Sequence, residues 1–191
     1  HRATIIPKSG LMSFAMKFNK ENGMFVMLND GTVTTTGRIR IPNKQSKFLL
    51  YQDMLNSVDS VKTKKCRMQL TMKDVYKEFR LRGYDYGKNF QGIVEADSRE
   101  GRLQFSNWIV LADNMLQVGI LGQNNRGLYL PVRFQSVRCD PKILYEAVEK
   151  SDGVLTVIND HRINSIIAPG LEIQGLKVNL APRRINSQIP M

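Results

Sequence analysis

The run over residues 107–121 is the longest apolar stretch in the chain, and a single acid, Asp113, interrupts it. Around that acid stand Trp108, Ile109, Val110, Leu111, Ala112, Met115, Leu116, Val118 and Ile120. The length of the run and its Leu, Met and Ala content predict a helix rather than a strand, bounded by Gly122. A helix that is apolar on all its faces belongs in an interior. The rest of the fold must therefore wrap around this element.

Strands supply the wrapping. Over residues 11–18, Met12, Phe14, Met16 and Phe18 share a face at period two. A polar turn ending in Gly23 follows, then a short apolar strand over 24–28. Asn29-Asp30-Gly31 is a strong hairpin signal. Residues 32–41 are rich in β-branched side chains, with Val33, Thr35, Gly37, Ile39 and Ile41 on one face. This is a meander. Residues 42–72 are mostly polar, with a short helix expected at 48–55, and read as a linker. A short helix is expected at 74–81, with Val75, Tyr76 and Phe79 inward and a break at Gly83. Strands are expected over 90–96, 103–105, 127–138, 144–149, 153–159 and 171–180. In the last one the alternation slips at Gly175, as a β-bulge would make it do. The reading is an α+β chain. Residues 1–45 form one unit, 46–72 a linker, 73–185 a second unit and 186–191 a tail. One helix inside a sheet of about five or six antiparallel strands is a hot-dog arrangement.

Composition narrows the function classes. With 191 residues, 42% of them hydrophobic, the chain can build one large core or two small ones. No apolar run of about 18 residues predicts a membrane span. No apolar leader segment follows the N-terminal charge, Cys66 and Cys139 match no metal-ligand spacing, and no Asn-x-Ser/Thr sequon occurs. Together these point to the cytosol and to no metal site. The net charge of +11 attracts polyanions, either nucleic acid, an anionic membrane or an acidic protein. It is dispersed, apart from a cluster at Lys62, Lys64, Lys65 and Arg67. Basic residues and exposed aromatics do not interleave as a base-stacking platform requires, so a basic nucleic-acid-binding β domain is the weakest reading.

Asp113 is the chemical anomaly. A buried carboxyl is either neutral or hydrogen-bonded, because an unpaired buried charge is very costly. Burial raises a carboxyl pKa and so yields an acid able to give up a proton near neutral pH. Gln117 lies one helical turn later on the same face and can hold the carboxyl in one rotamer. Alternatively, Asp113 caps a shorter helix starting at Asn114, or faces solvent at the end of the sheet. The residues alone leave these readings open.

Several motifs in order resemble those of one family. Asp74-Val75-Tyr76-Lys77-Glu78-Phe79-Arg80-Leu81-Arg82-Gly83-Tyr84-Asp85-Tyr86-Gly87 and Phe90-Gln91-Gly92-Ile93 are followed by Asn107-Trp108 and Asp113-Asn114-Met115-Leu116-Gln117. Gly127-Leu128-Tyr129-Leu130-Pro131 and Ala181-Pro182-Arg183-Arg184 complete the series, and His1-Arg2-Ala3-Thr4-Ile5-Ile6-Pro7-Lys8 looks like part of an earlier segment. The set resembles the dehydratase region of multifunctional fatty-acid synthases of the animal type, insects included. The resemblance implies a double hot-dog whose first half lacks its N-terminal part and central helix. It implies removal of water from a (3R)-3-hydroxyacyl chain on acyl carrier protein. Asp113 of a D-x-x-x-Q/H motif would be the acid and Gln117 its orienting partner. Tyr86, Gly87, Phe90, Leu130 and Pro131 would line the substrate site. The implied partners are the carrier protein, its acyl thioester and neighbouring domains of a homodimeric synthase, without nucleic acid or membrane. No cofactor is implied within the region, since the substrate rides on the carrier's phosphopantetheine arm.

Two departures stand out. Lys88 replaces the usual proline of the Tyr86-Gly87 turn, which would loosen it. The family's basic histidine motif, H-x-x-x-G-x-x-x-x-P, is absent, because His1 and His161 are the only histidines and neither begins it. Little or no dehydratase activity is expected of this chain alone, and a non-catalytic acyl-binding or scaffold module is the alternative. Trp108 and Phe90 are read as core, and Arg80, Arg82, Arg183 and Arg184 as solvated. Exposed strand faces at Met12, Phe14, Met16 and Phe18 are expected to make the chain poorly soluble or self-associating.

Overall fold

The computed structural model describes residues 9–41, 69–123 and 125–181. It divides into two compact units, 1–47 and 48–191. The expected helix at 48–55, the cluster around Lys65, and His1, Arg183 and Arg184 lie outside the described residues.

In the first unit, β1 (Ala15–Phe18), β2 (Met24–Asn29) and β3 (Thr32–Arg38) form the expected antiparallel meander. Asp30 and Gly31 both take positive φ in the two-residue turn, as a type I′ hairpin requires. Leu28 pairs with Val33 but Met27 pairs with Thr35, so Thr34 is an extra residue. That bulge breaks the expected shared face of Val33 and Thr35. Phe14, Met16 and Phe18 remain exposed.

The second unit is a seven-stranded antiparallel sheet with one helix laid across it. The strands are β4 (Leu70–Thr71), β5 (Ile93–Ala96), β6 (Glu100–Gln104), β8 (Ser136–Cys139), β9 (Val154–Asp160), β10 (Ser165–Ala168) and β11 (Leu171–Gln174), in the order β4-β5-β6-β9-β10-β11-β8. A separate pair joins β7 (Tyr129–Arg133) to β12 (Lys177–Leu180). Three α-helices accompany them: α1 (Met72–Arg82), α2 (Trp108–Leu121) and α3 (Pro141–Lys150). The apolar run is α2. Asn107 caps it, its Oδ1 accepting from the N–H groups of Ile109 and Val110, each at 3.0 Å. Asp113 is therefore not a cap. Leu111, Met115 and Val118 are fully buried between α2 and the sheet, and each stabilises the fold by about 1.5–3 kcal/mol. At Gly119 a Cβ would stand 2.6 Å from Ile166 Cδ1, so glycine lets the helix lie close on β10. In the first turn Ile109 is exposed.

Four expectations needed correction. Residues 144–149 are helical within α3. Asp140 Oδ1 accepts from the N–H groups of Lys142 and Ile143 and Pro141 stands in the first turn, a start signal that overrides the short β-like pattern. Residues 127–138 and 171–180 are each two strands rather than one. Gly175, at φ +65°, turns the chain out of the large sheet and into the β7–β12 pair. The strand at 165–168 is not legible from periodicity, because Ile166 and Ile167 are both buried and leave no alternation. The end of the supposed linker is structured. Thr71 caps α1, its hydroxyl accepting from the Asp74 N–H and donating to the Asp74 carboxylate at 2.7 Å.

Candidate active site

Asp113 sits in the middle of α2, half-buried, and Gln117 one turn later is fully buried. The helical period brings them together, and Gln117 Nε2 donates to Asp113 Oδ2 at 2.7 Å. The same nitrogen donates to the Phe90 carbonyl at 2.9 Å. Gln117 Oε1 accepts from the Tyr76 hydroxyl at 3.1 Å. The Tyr76 hydroxyl in turn accepts from the Ile93 N–H at 3.0 Å and lies 3.3 Å from the Phe90 carbonyl oxygen. Burial pushes the Asp113 carboxyl above the ordinary carboxylate range, and the bond from Gln117 opposes that shift. The result is a carboxylic acid that holds its proton to higher pH than a free one.

Two phenols, Tyr76 and Tyr86, lie near enough to the acid to feel its charge. Burial pushes the Tyr76 phenol up to about 12 and raises the Tyr86 phenol as well, and the Asp113 charge adds to both shifts. Tyr86 stacks on Tyr84 at 5.5 Å and meets Phe79 and Tyr76 edge-on. The turn that carries Tyr86 is held despite Lys88. Residues Lys88–Phe90 form a short 3₁₀ turn, with the Phe90 N–H donating to the Gly87 carbonyl at 2.9 Å. Gln91 Nε2 donates to the Tyr86 carbonyl at 2.6 Å. Gly87 is exposed, and so is Phe90, which is thus not a core residue; its backbone carbonyl is what reaches the site. Leu130 and Pro131 are exposed on β7. The preceding residue ties that strand to the aromatic cluster, because the Tyr84 hydroxyl donates to the Tyr129 carbonyl and accepts from its N–H. Of the lining positions expected from the sequence, the structure brings Tyr86 to Asp113. It leaves Gly87, Phe90, Leu130 and Pro131 exposed at the surface.

The surroundings match known proteins. The model of the polyketide synthase dehydratase N-terminal domain family matches residues 57–106, a stretch that includes α1, β5 and β6. The dehydratase domain from the CurF module of curacin polyketide synthase aligns over 95% of this chain and 73% of its own, with 16% identity and a TM-score of 0.60. The CurK dehydratase aligns over 88% of this chain and 68% of its own, with 17% identity and a TM-score of 0.53. The CurJ dehydratase aligns over 89% and 67%, with 11% identity and a TM-score of 0.54. The chain shares the hot-dog fold of these dehydratase domains.

In this fold α2 is the helix that the sheet wraps, and Asp113 and Gln117 occupy its middle. Two residues of the site escape or mislead a reading of the sequence. Tyr76 reads there only as an inward-facing ring, because an i,i+4 pattern says nothing about where a hydroxyl ends. Arg82 reads as solvated. It is buried, and its guanidinium donates to the Ile120 carbonyl at 2.9 Å and the Leu121 carbonyl at 3.3 Å, while Nε pairs with Glu78 at 2.9 Å. A cation on the last carbonyls of α2 satisfies its free acceptors and its dipole, and so anchors α1 to the helix that bears the acid. Trp108 packs against the core as expected, with Nε1 donating to the Tyr145 hydroxyl at 3.0 Å. His161 is exposed, with Nε2 2.9 Å from the Ser98 carbonyl oxygen. Cys139 is a free, exposed thiol. Among the described residues no cluster of His, Cys, Asp or Glu could hold a metal ion. No described helix is long and apolar enough to cross a membrane.

Proposed function

We propose that this chain supplies the acid half of a dehydratase that acts on a (3R)-3-hydroxyacyl thioester carried by acyl carrier protein. The observation that carries the reading is Asp113, partly buried on the central helix and held by a buried amide rather than by a cation. A base takes the α-proton, the electron pair of that C–H bond becomes the new C=C bond, and the C–O bond at the β-carbon breaks. Asp113 gives its proton to the departing hydroxyl, so that water leaves and a trans-2-enoyl thioester remains. Tyr86 and the apolar surface near it line the path of the acyl chain, with Gly87, Phe90, Leu130 and Pro131 at its mouth. The CurK dehydratase structure is of an inactive mutant with asparagine in place of an aspartate, and the CurJ structure is of an inactive mutant with phenylalanine in place of a histidine. Those two proteins need an aspartate and a histidine, and Asp113 fits the first role here.

The sequence resemblance is to a fatty-acid synthase, and implies a cytoplasmic homodimeric synthase. The net charge of +11 suits docking of an acidic carrier protein. Neither histidine of this chain begins the basic motif, so the base comes from another segment, and these residues alone turn over little substrate. The test is dehydration of a 3-hydroxybutyryl thioester by this chain and by one extended upstream through a histidine motif. Activity only in the extended chain, lost in Asp113→Asn, supports the reading. Equal activity in both places the base within these residues. Activity in neither, with retained acyl-thioester binding, favours the non-catalytic acyl-binding module that the missing motif also allows.

A further inference from the structure

The Gln117 amide has two ends of nearly the same size and opposite chemistry. With its nitrogen toward Asp113, it donates to Oδ2, and the acid proton of Asp113 is left for Oδ1, the oxygen that Gln117 does not touch. With the amide turned over, its oxygen would face the carboxyl and draw the proton into the protein. Which end faces Asp113 thus decides whether the proton is available to a substrate.

Resting on the assignment of Asp113 as the acid, we infer that Tyr76 is a positioning residue, whose hydroxyl locks the Gln117 amide with its nitrogen toward Asp113 and so keeps the acid proton on Oδ1. The available donors and acceptors leave little choice. The Tyr76 hydroxyl is occupied as an acceptor by the Ile93 N–H at 3.0 Å, so its one proton must go to an acceptor. Gln117 Oε1 at 3.1 Å is that acceptor, with the Phe90 carbonyl oxygen at 3.3 Å as its neighbour. Turning the amide over would set its NH₂ against the phenol and leave the phenol proton only the more distant Phe90 carbonyl oxygen, at 3.3 Å. It would also set Oε1 against the Phe90 carbonyl oxygen, now 2.9 Å from Nε2, acceptor to acceptor. Tyr76, Gln117 and Ile93 are all buried, so water does not relieve the clash at the phenol. Tyr76 reaches the site from α1, and its ring is held by Phe79 at 6.0 Å and Tyr86 at 6.3 Å.

The test is the ionisation of Asp113 itself, read by NMR of ¹³C-labelled aspartate in this chain. It does not depend on turnover, so the lock can fail while the dehydratase reading stands, and the reverse. The titratable groups facing Asp113 are the phenols of Tyr76 from α1 and Tyr86 from the following turn, and both stay neutral throughout the titration. Tyr76→Phe removes one of the two contacts that hold the amide, leaving only the Phe90 carbonyl, which weakens the bond that favours the carboxylate. The ionisation constant should fall about tenfold, a rise of about one pH unit. In a Gln117→Ala background the same substitution should change nothing further, because the lock acts through the amide. If Tyr76→Phe does not fold, 3-fluorotyrosine at position 76 keeps every partner and donates more strongly, so the Asp113 pKa should move down instead. An unchanged pKa in Tyr76→Phe, an equal shift in the Gln117→Ala background, or an upward shift with 3-fluorotyrosine overturns the inference.

Discussion

Asp113, midway along α2, and Asp160, at the end of β9, are two sequestered carboxylates held in opposite states. Asp160 is only 8% exposed, yet its carboxyl lies below the ordinary range. Arg162 explains this, with Nη2 donating at 2.6 Å and Nε at 3.0 Å, and its backbone N–H adding a third bond at 2.9 Å. Asp113 is more exposed but has a neutral amide in place of a guanidinium, and its carboxyl lies above the ordinary range. Burial acts on both. The partner decides the sign, because a cation stabilises only the charged form, whereas an amide opposes desolvation weakly. One acid is structural and charged at neutral pH. The other is suited to gaining and losing a proton.

The comparison can be broken at its strongest point first. Asp113→Asn should lower dehydration of the 3-hydroxybutyryl thioester by about two to four orders of magnitude in the extended chain. The same substitution should raise the thermal midpoint at pH 7. Because the folded pKa of Asp113 lies above the unfolded value, the native state loses stability as pH rises from the ordinary carboxylate range through that raised pKa. Asparagine does not ionise. The midpoints of the two proteins, followed by calorimetry, should therefore converge as pH falls toward about 4. A gap that is constant with pH would mean that Asp113 titrates normally.

Next in size is Gln117→Leu. It removes the one contact that lowers the Asp113 pKa, so the carboxyl should titrate still higher and kcat should fall about a hundredfold with little change in KM. Unchanged kcat would show that Asp113 orients itself.

The smallest effect belongs to the other acid. Arg162→Ala should leave dehydration untouched and lower the thermal midpoint slightly at pH 7. The folded pKa of Asp160 lies below its unfolded value, so this stabilisation is present above the ordinary carboxylate range and is lost as pH falls through the folded pKa. The difference between variant and parent should vanish in acid. A loss of activity in Arg162→Ala would erase the distinction between the two carboxylates.

Much of the architecture is legible where the signal is local. The meander of β1 to β3 follows from alternation and from the Asp30-Gly31 turn, and α2 from its length and its largely apolar composition. Errors arise where two neighbouring stretches share a pattern but belong to different sheets. Residues 171–174 and 177–180 both alternate, and only their partners separate them, β8 and β10 for the first and β7 for the second. α3 passes for a strand when the Asp140-Pro141 start is given too little weight. Arg82 misleads because an arginine in the last turn of an amphipathic helix looks the same whether it meets water or the end of another helix.

The sequence by itself determined the central helix, the acid within it and the amide one turn away, because helical spacing makes residues 113 and 117 neighbours whatever surrounds them. It also determined that neither His1 nor His161 begins the basic motif, since that depends only on the residues that follow each. Only the tertiary structure decided what kind of acid Asp113 is. Tyr76 and the Phe90 carbonyl converge on Gln117, and the Ile93 N–H on Tyr76, because α1, the Tyr86-Gly87 turn and β5 pack against α2. Asp160, by contrast, takes its cation from Arg162 only two residues away, a contact that lies within one stretch of chain. A carboxyl's pKa depends on desolvation and on charges within a few ångströms, and across distant segments those distances are set by packing rather than by order along the chain.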